Sequence, residues 1–184
     1  MDLRMALSVS SERFDVIILV ETWLNDSIAD AELGLDNYII YRRDRDASSS
    51  SYSRGGGVLI AVRNHLTSRV LKITAKCVEQ LFIDLRIDNK HIVIGAVYLP
   101  PCSDSTIYET HCQSVEKIKT TLPNADFLIV GDYNLPHITW QNNNDFFQFN
   151  VVRSGYLSKQ SNTVLNFFNE FNFCQHNSIV NCGL

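Results

Sequence analysis

The chain has 184 residues, 45% hydrophobic and 10% aromatic, with a formal net charge of −4 at pH 7. That length suffices for one domain with a real core, and the composition is that of an ordered globular protein, not a disordered one. Apolar runs are too short to cross a bilayer, residues 1–20 lack the uncharged middle of a secretory signal, and the acidic balance argues against a general nucleic-acid binder.

Residues Asp2 to about Glu12 read as a helix carrying Leu3, Met5, Ala6 and Leu7. Phe14 to Val20 is almost continuously apolar, which predicts a strand buried on both faces. Asn25 and Asp26 offer turn or cap chemistry before a short helical piece, and Tyr38–Tyr41 is a short strand. The polar, serine-rich stretch from Arg42 to Arg54 predicts a mobile loop. Gly55, Gly56 and Gly57 then read as a flexible hinge into the strand Val58–Val62. Val70–Ile73 predicts a further short strand. Glu79–Ile87 alternates, with Leu81, Ile83, Leu85 and Ile87 on one face, so one side is expected to be wetter.

Asp88 and Asn89 make a tight turn into the strand His91–Tyr98, which Pro100 and Pro101 end. Thr106–Thr121 reads as a helix, Pro123 and Asn124 as the turn after it, and Phe127–Val130 as a buried strand. Gln141–Asn150 shows no clear pattern. Asn162–Asn172 reads as a helix burying Val164, Leu165, Phe168 and Phe171. Strands joined partly by hairpins and partly by helices predict a mixed α/β layered sandwich in one domain. The ending at Asn181–Leu184 reads as a cut.

Three of these strands run into a chemically capable residue. Glu21 follows Asp15–Val20; it is either a ligand for a hard divalent ion such as Mg²⁺ or a carboxylate accepting from local backbone N–H groups. Tyr98 either bonds a phosphate oxygen or packs at the rim. Asp132 and Asn134 stand two apart after Phe127–Val130, and side chains two apart on an extended backbone point the same way. Either the pair is a plain Asp-x-Asn turn whose side chains bond local backbone, or, the favoured reading beside two other strands ending alike, Asp132 serves as base or water-orienting group and Asn134 fixes the nucleophile.

Other candidates carry less. The three glycines lack the Lys-Ser/Thr end of a phosphate-binding loop, and Glu79 reads as a surface carboxylate more than as support for Glu21. The five histidines match no metal-ligand spacing, and His137 reads as a neutral loop residue. No Gly-x-Ser-x-Gly elbow is present. The five cysteines lack CxxC pairing and read as reduced thiols. Between Arg42 and Lys76, eight basic residues accompany two acids, making this segment +6 and the rest of the chain −10. Arg42, Arg43, Arg45 and Arg54 are its candidate phosphate contacts.

In order, Glu-Thr-Trp-Leu (21–24), Arg-Gly-Gly-Gly-Val-Leu-Ile-Ala-Val (54–62), Val-Tyr-Leu-Pro-Pro (97–101) and Gly-Asp-Tyr-Asn-Leu-Pro (131–136) resemble the endonuclease/exonuclease/phosphatase family. The likeness is closest to the apurinic-endonuclease-like domain of LINE-type (non-LTR) retrotransposons. It implies a deoxyribonuclease I-like sandwich of two mixed β-sheets flanked by helices. It further implies Glu21 as metal ligand, Tyr98 at the scissile phosphate, Asp132 activating water and Asn134 positioning it. The implied reaction is Mg²⁺-dependent (or Mn²⁺-dependent) hydrolysis of a DNA phosphodiester. In a retrotransposon the nick primes reverse transcription, so a reverse transcriptase domain in the same polyprotein and a nuclear location are implied too, with no membrane partner.

Against the family pattern, residues 1–184 lack the first strand with its Asn and the C-terminal strands with a further Asp and a Ser-Asp-His motif. The expectation is therefore one domain truncated at both ends that binds Mg²⁺ weakly and cuts poorly. Two alternatives stand beside it: a phosphoesterase of the same fold acting on a phospholipid or nucleotide, and a non-catalytic relic.

Overall fold

The computed structural model describes residues 13–50, 54–135, 138–143, 148–152 and 157–176. The helix expected over residues 2–12 and the loop residue His137 lie outside them. Backbone proximity divides the chain into two compact units: Met1–Tyr98 with Ile118–Asp132, and Leu99–Lys117 with Tyr133–Leu184.

The first unit is an α/β assembly built on two sheets. Strands β1 (Val16–Val20), β2 (Tyr38–Arg43) and β3 (Val58–Arg63) form an antiparallel sheet in the order β1-β3-β2. Strands β4 (Thr67–Val70), β5 (Glu79–Ile87), β6 (Lys90–Tyr98) and β7 (Asp126–Asp132) form a mixed sheet in the order β4-β5-β6-β7, with β6 and β7 parallel. Helix α1 (Ser105–Thr121) makes that parallel crossover, as parallel neighbours require. Its last turn reaches the first unit, where the Lys119 ammonium sits 4.6 Å from the centre of the Phe127 ring.

The two sheets pack face to face. Val58, Ile60 and Val62 of β3 meet Leu81, Ile83 and Leu85 of β5 and Ile94, Ala96 and Tyr98 of β6, with Val16, Ile18 and Val20 of β1 packed against them. The alternate residues of β3, Leu59 and Ala61, join Ile17 and Leu35 in a second cluster on the other face. As the central strand, β3 is therefore buried on both sides, which explains its unbroken apolar run.

Several expectations shift for physical reasons. β1 was expected to be buried on both faces, yet only Ile17 is buried, β1 standing last in its sheet's order among the described residues. β5 has no wet side until Arg86: Glu79, Gln80 and Asp84 are all buried, Glu79 and Asp84 because each has found an ion partner. β4 begins at Thr67 instead of Val70, since an edge strand tolerates polar side chains on its open face. β7 has half-exposed Leu128 and Val130 where full burial was expected, being the last strand in its sheet's order. Asp88 and Asn89 take φ of 48° and 64°, the left-handed pair a two-residue type I′ hairpin demands, and Ile87 pairs with Lys90 across it.

In the second unit, β8 (Thr139–Asn143) and β9 (Gln148–Val152) form an antiparallel pair within the stretch that showed no sequence pattern. Helix α2 (Lys159–Glu170) starts at Ser158, whose hydroxyl accepts from the Ser161 N–H at 3.1 Å. It buries Val164, Leu165 and Phe167, not Phe168. Phe167 wins that position by packing on Phe171 and Phe173, at ring separations of 4.8 and 5.7 Å, while Phe168 turns its edge to Tyr133. From α1, the Tyr108 hydroxyl donates to the Tyr133 carbonyl and the His111 ring nitrogen Nε2 bonds the Tyr133 hydroxyl, both at 2.8 Å.

Burial pushes the His111 imidazole down to about 3, so it is neutral in the folded unit. An unfolded histidine titrates near 6.5, so this group's contribution is fully present above that pH and is lost as pH falls from 6.5 towards 3. Lowering the pH from 8 to 5 should cost about 2 kcal/mol through this residue. Urea midpoints of wild type and His111→Gln across that range check it: the variant should show a markedly shallower fall.

Candidate active site

Glu79, Tyr98 and Asp132 form one row across the second sheet. Glu79 is the register partner of Tyr98, and Tyr98 is the partner of Asp132. Partners in adjacent strands share a face, so the row ends three strands with three polar tips. The Tyr98 ring belongs to the core and only 6% of the residue is exposed.

Glu21 reaches this row from the first sheet. Beyond β1 the backbone stays tied to the glycine segment, Thr22 N donating to Gly57 O at 3.3 Å and Trp23 N to Gly56 O at 2.9 Å. Glu21 and Trp23 take φ of 53° and 56°, the left-handed region that costs a non-glycine residue about 1–3 kcal/mol. The Glu21 carboxylate accepts from the Trp23 indole at 3.3 Å and from the Tyr98 phenol.

Glu79 is not the surface carboxylate expected from sequence. It is 1% exposed, and its Oε1 accepts from Arg45 Nε at 2.6 Å while Oε2 accepts from the Gly57 N–H at 2.6 Å. Arg45 also lies 5.8 Å from the centre of the Tyr98 ring and donates to the Arg54 carbonyl at 2.9 Å. Gly55, Gly56 and Gly57 have φ of 87°, 66° and 83°. A side chain on Gly56 would run into Glu79 and Arg45. This segment is thus a packed strap, not the expected flexible hinge. Gly131, just before Asp132, is fixed as glycine because a Cβ there would collide with the Val97 carbonyl of β6.

The electrostatics register the convergence. Burial pushes the Tyr98 phenol up to about 12; the Glu21 charge, and then its hydrogen bond, add to this, Arg45 opposes it, and Asp132 raises it further. Glu21, Tyr98 and Asp132 therefore act on one another at one end of the first unit. Asn134 belongs to the second unit. Its φ is 47°, and its carboxamide donates to the Leu99 carbonyl at 2.8 Å. Strand β7 ends at Asp132, so the extended backbone that would have aligned the two side chains stops between them.

The basic segment behaves differently in space than in sequence. Arg42 pairs with Asp30 at 3.1 Å and Asp44 at 2.8 Å, and also donates to the carbonyls of Asn25 and Ile28. Arg43 pairs with Asp46 at 2.6 Å and holds that carboxyl well below the usual range. Arg45 is committed to Glu79. These three do structural service, and Arg42 and Arg43 extend β2 instead of opening the loop. Arg54 is exposed, its guanidinium 6.0 Å from the centre of the Trp23 ring, and Trp23 is itself 56% exposed.

Among the described residues no three His, Cys, Asp or Glu side chains gather as a metal cage. A hard ion that keeps most of its waters needs only one or two carboxylates, and Glu21, exposed beside the Tyr98 phenol, meets that requirement. Glu79 does not, because its charge is already matched. Sequence reasoning missed Arg45 as an internal brace and Trp23 as a rim aromatic. The available signals were the register of Glu79 with Tyr98 and the three consecutive glycines, which demand a close neighbour.

A family model described as Endonuclease/Exonuclease/phosphatase family matches residues 4–170. Among solved structures, the chain is similar to the endonuclease domain of TRAS1, a telomere-specific non-LTR retrotransposon, with a TM-score of 0.54 at 10% identity over 85% of this chain and 59% of that one. It is also similar to the human Nocturnin catalytic domain (TM-score 0.46, 14% identity, 65% of this chain, 51% of that one). ANGEL2, a 2′,3′-cyclic phosphatase, is likewise similar (TM-score 0.46, 15% identity, 65% of this chain, 40% of that one). The chain thus spans less than two thirds of each of these structures. No curated protein sequence matches it.

Two outcomes follow from this geometry. Arg45→Met strands the Glu79 carboxylate in the interior and should cost about 3–5 kcal/mol, most of it regained in the Arg45→Met/Glu79→Leu double variant; urea midpoints of the three proteins decide this. Tyr98, raised above the ordinary 10, contributes stability that is complete below pH 10 and lost as pH climbs through about 12. The ultraviolet titration difference between wild type and Tyr98→Phe should show one phenol ionising near 12.

Proposed function

The chain belongs to the endonuclease/exonuclease/phosphatase family, and we propose that it is a DNA endonuclease domain of the kind carried by LINE-type retrotransposons. The likeness to the TRAS1 domain agrees in architecture. The observation that carries the reading is the mutual influence of Glu21, Tyr98 and Asp132 at one strand end. Two carboxylates and a protonated phenol are the parts that phosphodiester hydrolysis needs.

In this reading Asp132 takes a proton from a water molecule as that oxygen bonds to phosphorus. The bond from phosphorus to the 3′ oxygen breaks, and that oxygen leaves with the bonding pair and takes a proton from solvent water to end as a hydroxyl. The Tyr98 phenol stays protonated at physiological pH and exchanges its hydrogen bond to Glu21 for one to a non-bridging phosphate oxygen as negative charge grows there. Glu21, with waters, would hold Mg²⁺ or Mn²⁺, and such an ion supplies charge neutralisation at the phosphoryl oxygens when bound. Arg45 and Glu79 position: they hold the glycine strap and the Tyr98 ring. Arg54 meets a backbone phosphate and Trp23 stacks on an exposed base or sugar face at the rim. Asn134 enters only through the family resemblance, as a positioner of water. The DNA partner, a linked reverse transcriptase domain and a nuclear location belong to the same proposal.

Nicking of supercoiled plasmid in Mg²⁺ tests it. Asp132→Ala and Glu21→Ala should each lower the rate by about 100-fold or more, and Tyr98→Phe by about 10- to 100-fold. Nicking that survives Asp132→Ala, or inositol phosphates hydrolysed in preference to duplex DNA, would overturn the reading.

A further inference from the structure

The other end of the second sheet carries a second group of charged side chains. On the face of β4, β5 and β6 turned away from the core, Thr67, Arg69, Asp84, Arg86 and His91 line a cavity of about 230 Å³. Register places them together: Arg69 is opposite Asp84, and Arg86 lies between Thr67 and His91. His91 is seven residues from Tyr98 along β6, roughly 23 Å at the usual strand rise. This cavity is therefore separate from the site above and owes nothing to the nuclease reading.

Its floor is the Asp84 carboxylate, whose side chain has 0% exposure. Oδ2 accepts from Arg69 Nε at 3.0 Å and Nη2 at 2.9 Å, and Oδ1 is 2.8 Å from His91 Nδ1. A buried carboxylate needs one cation to match it; here Arg69 and His91 both bond the acid and Arg86 lines the same cavity. The Arg69 side chain is 66% exposed and that of His91 33%, so each keeps an open edge above the carboxylate. Bonding at Nδ1 fixes the imidazole ring and leaves Nε2 on its far side. The Thr67 hydroxyl and the exposed Arg86 complete the wall.

We propose that this cavity binds a tetrahedral oxyanion of the phosphate class, either free inorganic phosphate or the terminal phosphate of a small monoester. Arg69 and Arg86 donate from two sides as charge-assisted partners. The His91 ring, held through Nδ1 by Asp84, presents Nε2 to the anion. Thr67 supplies a neutral donor. Asp84 makes no contact with the anion; it is the positioning residue that holds Arg69 and His91 in place. A doubly charged monoester suits this surplus of positive charge better than a singly charged diester.

The test is a titration of the intact, isotope-labelled chain with inorganic phosphate, read by calorimetry and by the ring signals of His91. The expected result is saturable one-site binding with His91 signals moving at the same midpoint. Phenyl phosphate should bind comparably if the ligand is an ester, and more weakly if the cavity takes only the free ion. Dimethyl phosphate should bind about tenfold more weakly than inorganic phosphate, and Arg86→Gln should weaken phosphate about tenfold, for the loss of one charge-assisted donor. Arg86 is exposed, so that variant should keep its melting temperature, and it serves even where Arg69→Gln unfolds. The proposal fails if phosphate does not saturate, if His91 signals stay still, or if Arg86→Gln binds as wild type does. Plasmid nicking can fail while this binding persists, and the reverse, so the two readings fall separately.

Discussion

The constraint on which the candidate site depends is the burial of the Glu79 carboxylate. An ionised group withdrawn from water is tolerated only when its oxygens are matched, and Glu79 meets this with the Arg45 guanidinium on one oxygen and the Gly57 N–H on the other. That requirement draws the end of the first sheet onto the end of the second. It forces Arg45 across the face of Tyr98, brings the glycine backbone within a hydrogen bond of β5, and, through the bonds from Thr22 and Trp23, fixes where Glu21 emerges. The site residues are presented by a scaffold whose own charges are internally balanced.

The arginine-rich segment shows why charge in sequence is a weak guide to charge in space. Arg42, Arg43 and Arg45 lie beside Asp44 and Asp46 in sequence, and on folding each arginine meets an acid: Asp30 and Asp44, Asp46, and Glu79 in turn. Of the four arginines read as phosphate contacts, that leaves Arg54, beside an exposed indole. Conversely, Arg69, Arg86 and His91 are spread over 23 positions and only the antiparallel register makes them neighbours.

Much of the strand plan was legible because period-2 and continuous apolar patterns encode burial directly. The hairpin at Asp88–Asn89, the helix α1 and the strands β5, β6 and β7 lie where alternation and turn chemistry put them. Edge positions were not legible: nothing local to Val16–Val20 or Phe127–Val130 says that each stands last in the order of its sheet among the described residues. Polar residues that are buried because of a distant partner were missed for the same reason. Glu79 looked exposed until Arg45, 34 positions away, came to rest beside it. Of the candidate site, the three strand-end residues Glu21, Tyr98 and Asp132 stood out because a polar residue after an apolar strand is unusual, and the structure places them within electrostatic reach of one another. The brace behind them did not. Asn134 shows the limit of spacing arguments, since its alignment with Asp132 assumed a backbone that stays extended one turn too far.

Glu21 occupies backbone torsions that favour glycine or asparagine. A screen for heat resistance at this position would therefore rank those two above the native glutamate, since either relieves the torsional strain. Robustness and chemistry pull in opposite directions at one residue. Variants of this chain selected only for durability would drift towards a better-tempered shell with the Glu21 carboxylate gone.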